Sequence, residues 1–500
     1  MRQAVQQRRS SRIFGALGAL ALAACGGPEP RISIEPHPLV PLKTFLAPQS
    51  YDAPRLSPDG SWIAYLGPLE GVSNFFVAPI DDLAAAKAIT EETGHGIRVR
   101  DVSGVVMYRW SGDGRYLLFP HDNQGDENWN LFRADIETGQ KTNLTKLVGS
   151  RMELVRMSLS DPRQVLVSIA ESMIAPADLY SIDIETGERT LVEKNPGFAA
   201  YLSDNELRAR VAIGYGAEGG MDLLTRSSGG AWEPSISIGQ EDLAALSATG
   251  YQNIARFDAD NRRAFFYDSR GRDTIALIAW DLEQNSIEVL AEDPRVDIGG
   301  VLYHPTRSTP QAYATNWTRT EWHALDESIR RDLDFLASQT EGEYRIVSRS
   351  ADDDRWIVRF TLAHEPETYA LYEREDQNLT KLFVTTPQLE GIELSRMYAE
   401  VIPSRDGLDL VSYLTYPPWI EIDDRGRPTE PVPLVMLVHG GPGDERAQYA
   451  YGPFLHWLNN RGYGVFFVNF RGSPGFGKAF VNAARMEWGG KMHEDLVDQV

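Results

Sequence analysis

The chain has 500 residues, of which 42 % are hydrophobic and 24 % charged, and its formal net charge is −22. This length favours two large domains, and the composition is ordinary for a soluble globular protein. The acidic excess argues against nucleic acid or an anionic membrane surface as a partner. It is compatible with cationic or free-amine substrates, or simply with an acidic surface that keeps the protein soluble.

The first 24 residues have the pattern of a secretory signal peptide. A basic start precedes an apolar run from Ile13 to Ala24, which is too short to span a bilayer. The run is followed directly by Cys25, in the sequence LAAC at 22–25, and Cys25 is the only cysteine of the chain. This ending resembles a bacterial lipobox, in which the cysteine is lipidated and becomes the mature N-terminus. The alternative is an ordinary signal peptide with a chance cysteine.

The lipobox interpretation predicts an exported protein that is lipid-anchored at a bacterial membrane and faces the periplasm or the cell exterior. Residues 1–24 would be the lipoprotein signal peptide, and the proline-rich residues 25–45 an extended tether. With a single cysteine, no disulfide can form within the chain, and cysteine catalysis is not expected.

A polar turn followed by a strand recurs every 43 to 55 residues in the region 46–392. A four-stranded unit at this period is typical of a β-propeller blade, and seven turns predict a seven-bladed propeller. A pair of β-sandwiches is the alternative, but sandwiches do not repeat one turn-and-strand unit at this spacing. The turns begin at Ser57, Ser111, Ser160, Ser203, Asp258, His304 and Ser350.

Two segments depart from the repeat. Residues 317–339 carry apolar side chains at helical spacing, which predicts a helical insertion that either packs on the surface or gates substrate entry. The loop 122–128 has the sequence DNQGDEN. Its carboxylates could hold a substrate ammonium group, or they could stabilise the loop through hydrogen bonds to its own backbone.

From residue 393 onward, strands alternate with helices. The apolar runs 434–438 and 465–470 predict parallel strands buried on both faces, and the helix between them should pack through Phe454, Leu455 and Leu458. The first strand ends in HGGPG, residues 439–443. Backbone N–H groups on such a turn can approach the carbonyl oxygen on which acyl transfer builds negative charge. The alternative is a glycine turn without chemistry.

Three motifs give the chain a resemblance to the prolyl oligopeptidase family of serine peptidases, closest to its acylaminoacyl-peptidase and dipeptidyl-peptidase-like branch. They are LVHGGPG at 437–443, NFRGSPGFG at 469–477 and EWGGKMHEDL at 487–496. The resemblance implies a hydrolase of short peptides, with a propeller that screens access to a cavity between the domains. It also implies the Gly440 N–H as an oxyanion-hole donor, with His439 shaping the turn. His493 is expected to be structural, and Arg471 and Trp488 to support the loops.

The family's nucleophile lies in a Gly-x-Ser-x-Gly elbow, followed along the chain by Asp and then His. No such elbow occurs in this sequence, and Ser473 follows the wrong strand. We therefore expect 393–500 to be the N-terminal part of an α/β-hydrolase domain. Its catalytic Ser, Asp and His would lie beyond residue 500, and the chain would be inactive as it stands.

Other functions stay open from the sequence alone. A lipid-anchored propeller could bind peptides or proteins without catalysis, and the same scaffold could carry an esterase or lipase. We expect no cofactor and no metal, because none of the nine histidines pairs at a ligand spacing. Peptide specificity, exopeptidase or endopeptidase action, and oligomeric state are not determined by these residues.

Overall fold

The computed structural model describes residues 37–99, 106–122, 125–172, 174–247, 256–441, 443 and 445–500. Contacts divide the chain into two units, 1–38 and 39–500. All the features described below lie in the longer unit.

Seven antiparallel sheets follow one another in the described part of 52–384, and in each sheet the strands are neighbours in chain order. Sheet 1 contains β1 (Asp52–Leu56), β2 (Trp62–Leu69), β3 (Val72–Pro79) and β4 (Lys87–Ala88); sheet 2 contains β5 (Arg109–Trp110), β6 (Tyr116–His121), β7 (Asn130–Asp135) and β8 (Lys141–Asn143). Sheet 3 contains β9 (Arg151–Met157), β10 (Gln164–Ala170), β11 (Asp178–Asp183) and β12 (Arg189–Glu193); sheet 4 contains β13 (Ala200–Ser203), β14 (Ala209–Tyr215), β15 (Met221–Arg226) and β16 (Trp232–Ile238). Sheet 5 contains β17 (Arg256–Phe257), β18 (Arg263–Asp268), β19 (Ala276–Asp281) and β20 (Ser286–Ala291); sheet 6 contains β21 (Ile298–Tyr303), β22 (Pro310–Asn316) and β23 (Thr320–Ala324); sheet 7 contains β24 (Glu343–Arg349), β25 (Arg355–Thr361), β26 (Thr368–Glu373) and β27 (Asn378–Val384).

The repeated turn is held by the same hydrogen bonds in sheets 1 and 2. The buried hydroxyl of Ser57 accepts from the Trp62 N–H at 2.9 Å, and Ser111 accepts from Tyr116 in the same way. Gly60 completes the first turn with a φ of +70°, a conformation that favours glycine.

Two of the predicted turn positions were wrong by one or two residues. In sheet 3 the turn opens at Ser158, whose N–H donates to the Gln164 carbonyl, rather than at Ser160. In sheet 4 it opens at Asp204, whose N–H donates to Arg208, rather than at Ser203.

The seven sheets form a closed ring. An apolar core joins each sheet to the next one along the chain, and a further core joins sheet 7 to sheet 1. At that closure Tyr51 stacks on Phe383 with ring centroids 4.4 Å apart, and the Leu56 N–H donates to Ser348 Oγ at 2.9 Å. A ring of antiparallel sheets, six of four strands and one of three, has the architecture of a β-propeller, so this part of the predicted fold is confirmed.

The predicted helix in the sixth repeat is confirmed over α3 (Glu327–Ser338) only. Residues 320–324 instead form strand β23, which pairs with β22, and the Trp322 indole N–H donates to the Tyr344 carbonyl of the next sheet. The helix occupies the place of a fourth strand in sheet 6 and buries Ile329 and Leu333 against sheets 6 and 7.

Sheet 8 differs from the others in that it is mixed, with the strand order β28-β29-β31-β30. It contains β28 (Met397–Pro403), β29 (Asp409–Thr415), β30 (Leu434–Val438) and β31 (Gly464–Val468), and the α-helices in the described residues besides α3 are α1 (Leu42–Phe45), α2 (Gln240–Ser247), α4 (Pro453–Asn459), α5 (Lys478–Asn482) and α6 (Lys491–Asp498). The prediction that residues 434–438 are buried on both faces was wrong. Within the described residues β30 is an edge strand, with Leu434 54 % and Val438 50 % exposed. Of the residues predicted to pack in the helix, Leu455 is buried as predicted, but Phe454 is exposed.

Candidate active site

Two glycine-containing loops lie side by side beyond the carboxyl ends of β30 and β31. The two strands are parallel and in register up to Val438 and Val468. The loops that follow them, 439–443 and 469–477, therefore begin next to one another, at the edge of the sheet where α/β proteins place their sites.

His439 joins the two loops. Its Nε2 lies 2.8 Å from Ser473 Oγ, and its ring stacks on Phe470 at a centroid distance of 4.6 Å. Its Nδ1 lies 2.7 Å from the carbonyl oxygen of Gly440. Contacts on both ring nitrogens and one ring face orient the imidazole and hold the turn against the second loop.

The contact between His439 and Ser473 is not that of a nucleophile with its base. Ser473 has no exposed surface, and its hydroxyl donates to the Phe470 carbonyl at 2.8 Å. A nucleophile needs an accessible oxygen that can reach a substrate carbonyl. Ser473 therefore positions the histidine.

The backbone N–H of Gly440 points at a carboxylate. It donates to Glu445 Oε2 at 2.9 Å. The Gly440 N–H thus binds a negatively charged oxygen, as an oxyanion-hole donor must. A substrate oxygen would have to displace the Glu445 carboxylate to reach this N–H. Sequence reasoning did not identify Glu445, because nothing in the motif indicates that the chain folds back onto its own turn.

Arg471 fixes the start of the second loop. Its backbone N–H and its guanidinium group donate to the buried carboxylate of Asp495 on α6. The same guanidinium donates to Asp406, in the turn between β28 and β29, at 2.7 and 3.1 Å. These bonds raise the pKa of Arg471 and hold the pKa of the Asp406 carboxyl well below its usual range. The arrangement agrees with a supporting role for Arg471.

Asn469 fixes the other side of the loop. It has no exposed surface, and its amide donates to the carbonyls of Val411 and Ala447 at 2.8 and 3.0 Å. Its Oδ1 accepts from the Ala447 N–H at 2.8 Å. The side chain therefore ties the loop to the segment that carries Glu445.

The second loop also contacts the propeller. The Gly475 carbonyl accepts from the Asp297 N–H at 3.1 Å. Arg446 stacks on Phe476 at 4.2 Å and donates to the carbonyls of residues 316 and 317 at 3.3 Å. Burial raises the pKa of Asp297 to about 6 and lowers that of Arg446.

Helix α5 extends this contact. Lys478 donates to Asp242 on α2 at 2.8 Å, and the Ala479 N–H donates to Asp273 at 2.7 Å. The candidate loops are thus held from one side by sheet 8 and from the other by sheets 5 and 6 and the helix α2.

A cleft of about 310 Å³ opens beside the two loops. Trp488 lies on its wall with 75 % of its surface exposed, and His493 is also at the wall. The lining residues are His439, Gly440, Gly441, Phe470, Trp488, Gly489, Met492, His493 and Leu496.

Other features that the sequence predicted are not among the residues that line this cleft. Cys25 lies outside the described residues, as do Asn123 and Gln124 of the acidic loop. In that loop the Asp122 carboxylate is buried and accepts from the Arg98 guanidinium and the Glu127 N–H, which is the structural use of such a residue. In the described part of the chain no three His, Cys, Asp or Glu side chains are grouped as metal ligands, and no described helix is long and apolar enough to cross a membrane.

The sequence profile of the prolyl oligopeptidase family matches residues 451–500. Dipeptidyl aminopeptidase BIII of Pseudoxanthomonas mexicana is 39 % identical over 447 residues, covering 89 % of this chain and 63 % of the relative. Dipeptidyl peptidase family member 6 of Caenorhabditis elegans is 30 % identical over 495 residues, covering 92 % of this chain and 64 % of the relative. The chain thus spans less than two thirds of the length of these curated relatives.

The fold is similar to that of a puromycin-hydrolysing peptidase of Mycobacterium tuberculosis, with a TM-score of 0.66 at 16 % identity over 93 % of this chain and 73 % of that one. A prolyl endopeptidase gives 0.62 at 12 % identity over 92 % of this chain and 66 % of that one. At such identities the likeness concerns the fold alone. The profile match and the two curated relatives show that the chain belongs to the prolyl oligopeptidase family.

Proposed function

We propose that this chain is part of a serine peptidase that releases dipeptides from the N-termini of short peptides. The observation that carries the proposal is the 39 % identity over 447 residues with dipeptidyl aminopeptidase BIII. Residue patterns alone left exopeptidase and oligopeptidase open, and the names of both curated relatives favour dipeptide release. In this proposal the seven sheets are the seven blades of a propeller at 46–392, and 393–500 opens an α/β-hydrolase domain.

Within that domain the Gly440 N–H would stabilise the oxyanion, and His439 would hold its turn in place. The contact of this N–H with the Glu445 carboxylate supports the assignment, because it shows that the donor attracts a negatively charged oxygen. The sequence contains no Gly-x-Ser-x-Gly elbow, so the proposal places the nucleophile and its Asp and His partners outside residues 1–500.

The first test compares residues 1–500 with the protein encoded by the complete reading frame. We expect the complete protein to react with a fluorophosphonate and to release the fluorophore from a dipeptidyl-coumarin amide that has a free amino terminus. The N-acetylated amide and the single-aminoacyl amide should react far more slowly. Residues 1–500 alone should show neither labelling nor turnover. A complete protein that is neither labelled nor active would favour the peptide-binding propeller, and turnover of aryl esters alone would favour an esterase.

A second test concerns the backbone donor itself. Gly440→Pro removes the N–H, whereas Gly440→Ala keeps it and is the matched control. Loss of one oxyanion-hole donor lowers kcat by about 10²- to 10³-fold. We therefore expect this loss for the proline variant of the complete protein and a much smaller one for the alanine variant. Equal activities of the two variants would remove Gly440 from the mechanism.

We also propose that Cys25 is lipidated and anchors the protein at a membrane facing the periplasm or the cell exterior. The support is the LAAC sequence at 22–25 and the absence of any other cysteine. Metabolic labelling with a palmitate analogue should mark the protein, and Cys25→Ser should abolish the label and release the protein from the membrane fraction. Labelling that survives this substitution would contradict the anchor.

A further inference from the structure

Four arginines occupy one and the same position of the propeller repeat. In sheets 1, 2, 3 and 5, the N–H of the first turn residue donates to the strand that follows, which sets a common register: Ser57 to Trp62, Ser111 to Tyr116, Ser158 to Gln164 and Asp258 to Arg263, at 2.8 to 3.0 Å. The residue two positions before each turn is an arginine. We call Arg55, Arg109, Arg156 and Arg256 the arginine ring.

The arginine ring lies on the first strand of each sheet, and the first strands face the axis of the propeller. The Leu56 N–H of β1 donates to Ser348 of β24, so the first strands of sheets 1 and 7 touch. The last strands are at the rim, since Leu191 of β12 and Ile287 of β20 are 50 % and 42 % exposed. Equivalent positions of first strands in a closed ring lie at a similar height around its axis.

The charges of the arginine ring act on one another across that axis. Burial and repulsion from Arg55 and Arg256 lower the pKa of Arg109 to about 9. Burial and repulsion from Arg256 lower the pKa of Arg156 to about 10. Sheet 5 is next to neither sheet 2 nor sheet 3 in the ring, so the repulsion of Arg109 and Arg156 by Arg256 acts between sheets that are not neighbours.

The surroundings of the arginine ring hold the side chains in place. Arg109 donates to the carbonyls of Val106 and Tyr108 at 2.6 and 2.9 Å, and Arg156 donates to Asn205 at 2.9 Å. Arg256 lies over the ring of Tyr303 at 4.8 Å.

Carboxylates also lie nearby. Asp52 is close to the Tyr108 hydroxyl, and Asp204 attracts Arg156. The Asp204 carboxylate also accepts hydrogen bonds from the guanidinium groups of Arg208 and Arg210, at 2.9 and 3.1 Å.

We propose that the arginine ring is a binding site for a multiply charged oxyanion, a compound with several carboxylate or phosphate groups, on the axis of the propeller. Guanidinium groups match the planar oxygens of carboxylate and phosphate through paired N–H donors. Arg109 and Arg156 are both repelled by Arg256, and an anion bound between these groups would offset that repulsion. The arginine ring is a cluster of positive charge in a chain whose formal net charge is −22. The proposal does not depend on peptidase activity.

Calorimetric titration of the purified protein tests the site, with inorganic pyrophosphate and tricarballylate as separate probes. We expect at least one probe to bind with one site per chain and to bind more weakly at higher salt. The double variant Arg109→Gln/Arg256→Gln should weaken binding by at least about tenfold, because it removes charge-assisted hydrogen bonds. The matched control Arg189→Gln removes the same charge from β12 at the rim and should bind as the parent does.

Binding of pyrophosphate alone assigns the site to phosphates, and binding of tricarballylate alone assigns it to carboxylates. Binding of neither, or unchanged binding by the double variant, overturns the proposal. Arg256→Gln alone provides a second measurement if the double variant does not fold. Without anion, it should unfold at the same or a higher temperature than the parent, because it relieves repulsion, and the probe should raise its unfolding temperature less. If Arg256→Gln unfolds at a lower temperature than the parent and the probe raises that temperature as much as it does for the parent, the role of Arg256 is structural only.

Discussion

At the scale of single residues, Arg471 holds the start of the second candidate loop through a buried ion pair. Its side chain is 3 % exposed and binds Asp495, which has no exposed surface, and Asp406. Removing one partner of a buried ion pair leaves an uncompensated charge and costs about 3–5 kcal/mol. We predict that Arg471→Met lowers the free energy of unfolding in urea by this amount.

Arg405→Met is the matched control for that experiment. Arg405 also pairs with a carboxylate of α6, Asp498, at 2.7 Å, but its side chain is half exposed. An exposed ion pair contributes little because water and salt screen it. Equal losses for the two variants would mean that burial does not determine the strength of the Arg471 contacts.

The residues of the candidate site were predictable from the sequence only in part. HGGPG and RGSPGFG identified the two loops, because glycine turns after apolar strands have a recognisable pattern. The contacts between the loops were not predictable. Ser473 binding His439 and Glu445 binding Gly440 are contacts formed by folded loops, and residue types at these spacings do not determine them.

At the scale of elements, α3 shows how a helix can stand in for a strand of a propeller sheet. Asp326 caps its start by accepting from the Ser328 N–H, and its buried face packs on the core between sheets 6 and 7. Asp332 on the same face accepts from the Tyr372 hydroxyl and from Arg374, both at 2.8 Å. The cap, the buried face and the Asp332 hydrogen bonds indicate that α3 is a packed part of the fold.

Leu336→Ala tests that conclusion. Leu336 has no exposed surface, and a buried leucine cut back to alanine costs about 2–5 kcal/mol. We predict a loss of this size in urea unfolding, with peptidase activity of the complete protein unchanged under conditions where it stays folded. Arg330→Ala, on the exposed face of α3, should leave both quantities nearly unchanged. A change in activity without a loss of stability would favour the alternative, a gating helix.

At the scale of the whole molecule, the repeat predicted the ring of sheets, because each unit must bury its faces against its neighbours. The arginine ring was not predictable. Two of the turns were assigned to the wrong residue, Ser160 two residues too late and Ser203 one residue too early. With the turn of sheet 3 at Ser160 the shared position of Arg156 is lost, and hydrogen bonds are needed to restore it.

The contact between the propeller and the second loop should respond to pH through Asp297. Its carboxylate accepts from the Ile275 N–H at 2.8 Å, and only 5 % of the residue is exposed. Burial, opposed by that hydrogen bond and by the nearby charge of Arg446, raises its pKa from 3.8 to about 6. The charge of Asp273 acts in the same direction as burial.

Because the folded state holds the Asp297 proton more tightly than the unfolded chain, this group stabilises the fold below pH 3.8 relative to higher pH, and that contribution is lost as the pH rises through 6. Asp297→Asn keeps the acceptor oxygen and does not ionise. We predict that the free energy of unfolding of the parent falls relative to this variant between about pH 4 and 6, by about 3 kcal/mol, and that the difference is constant above that range. Urea unfolding of both proteins across this pH range measures it. A constant difference from pH 4 to 7 would show that the ionisation of Asp297 is not coupled to the contact between the propeller and the loop.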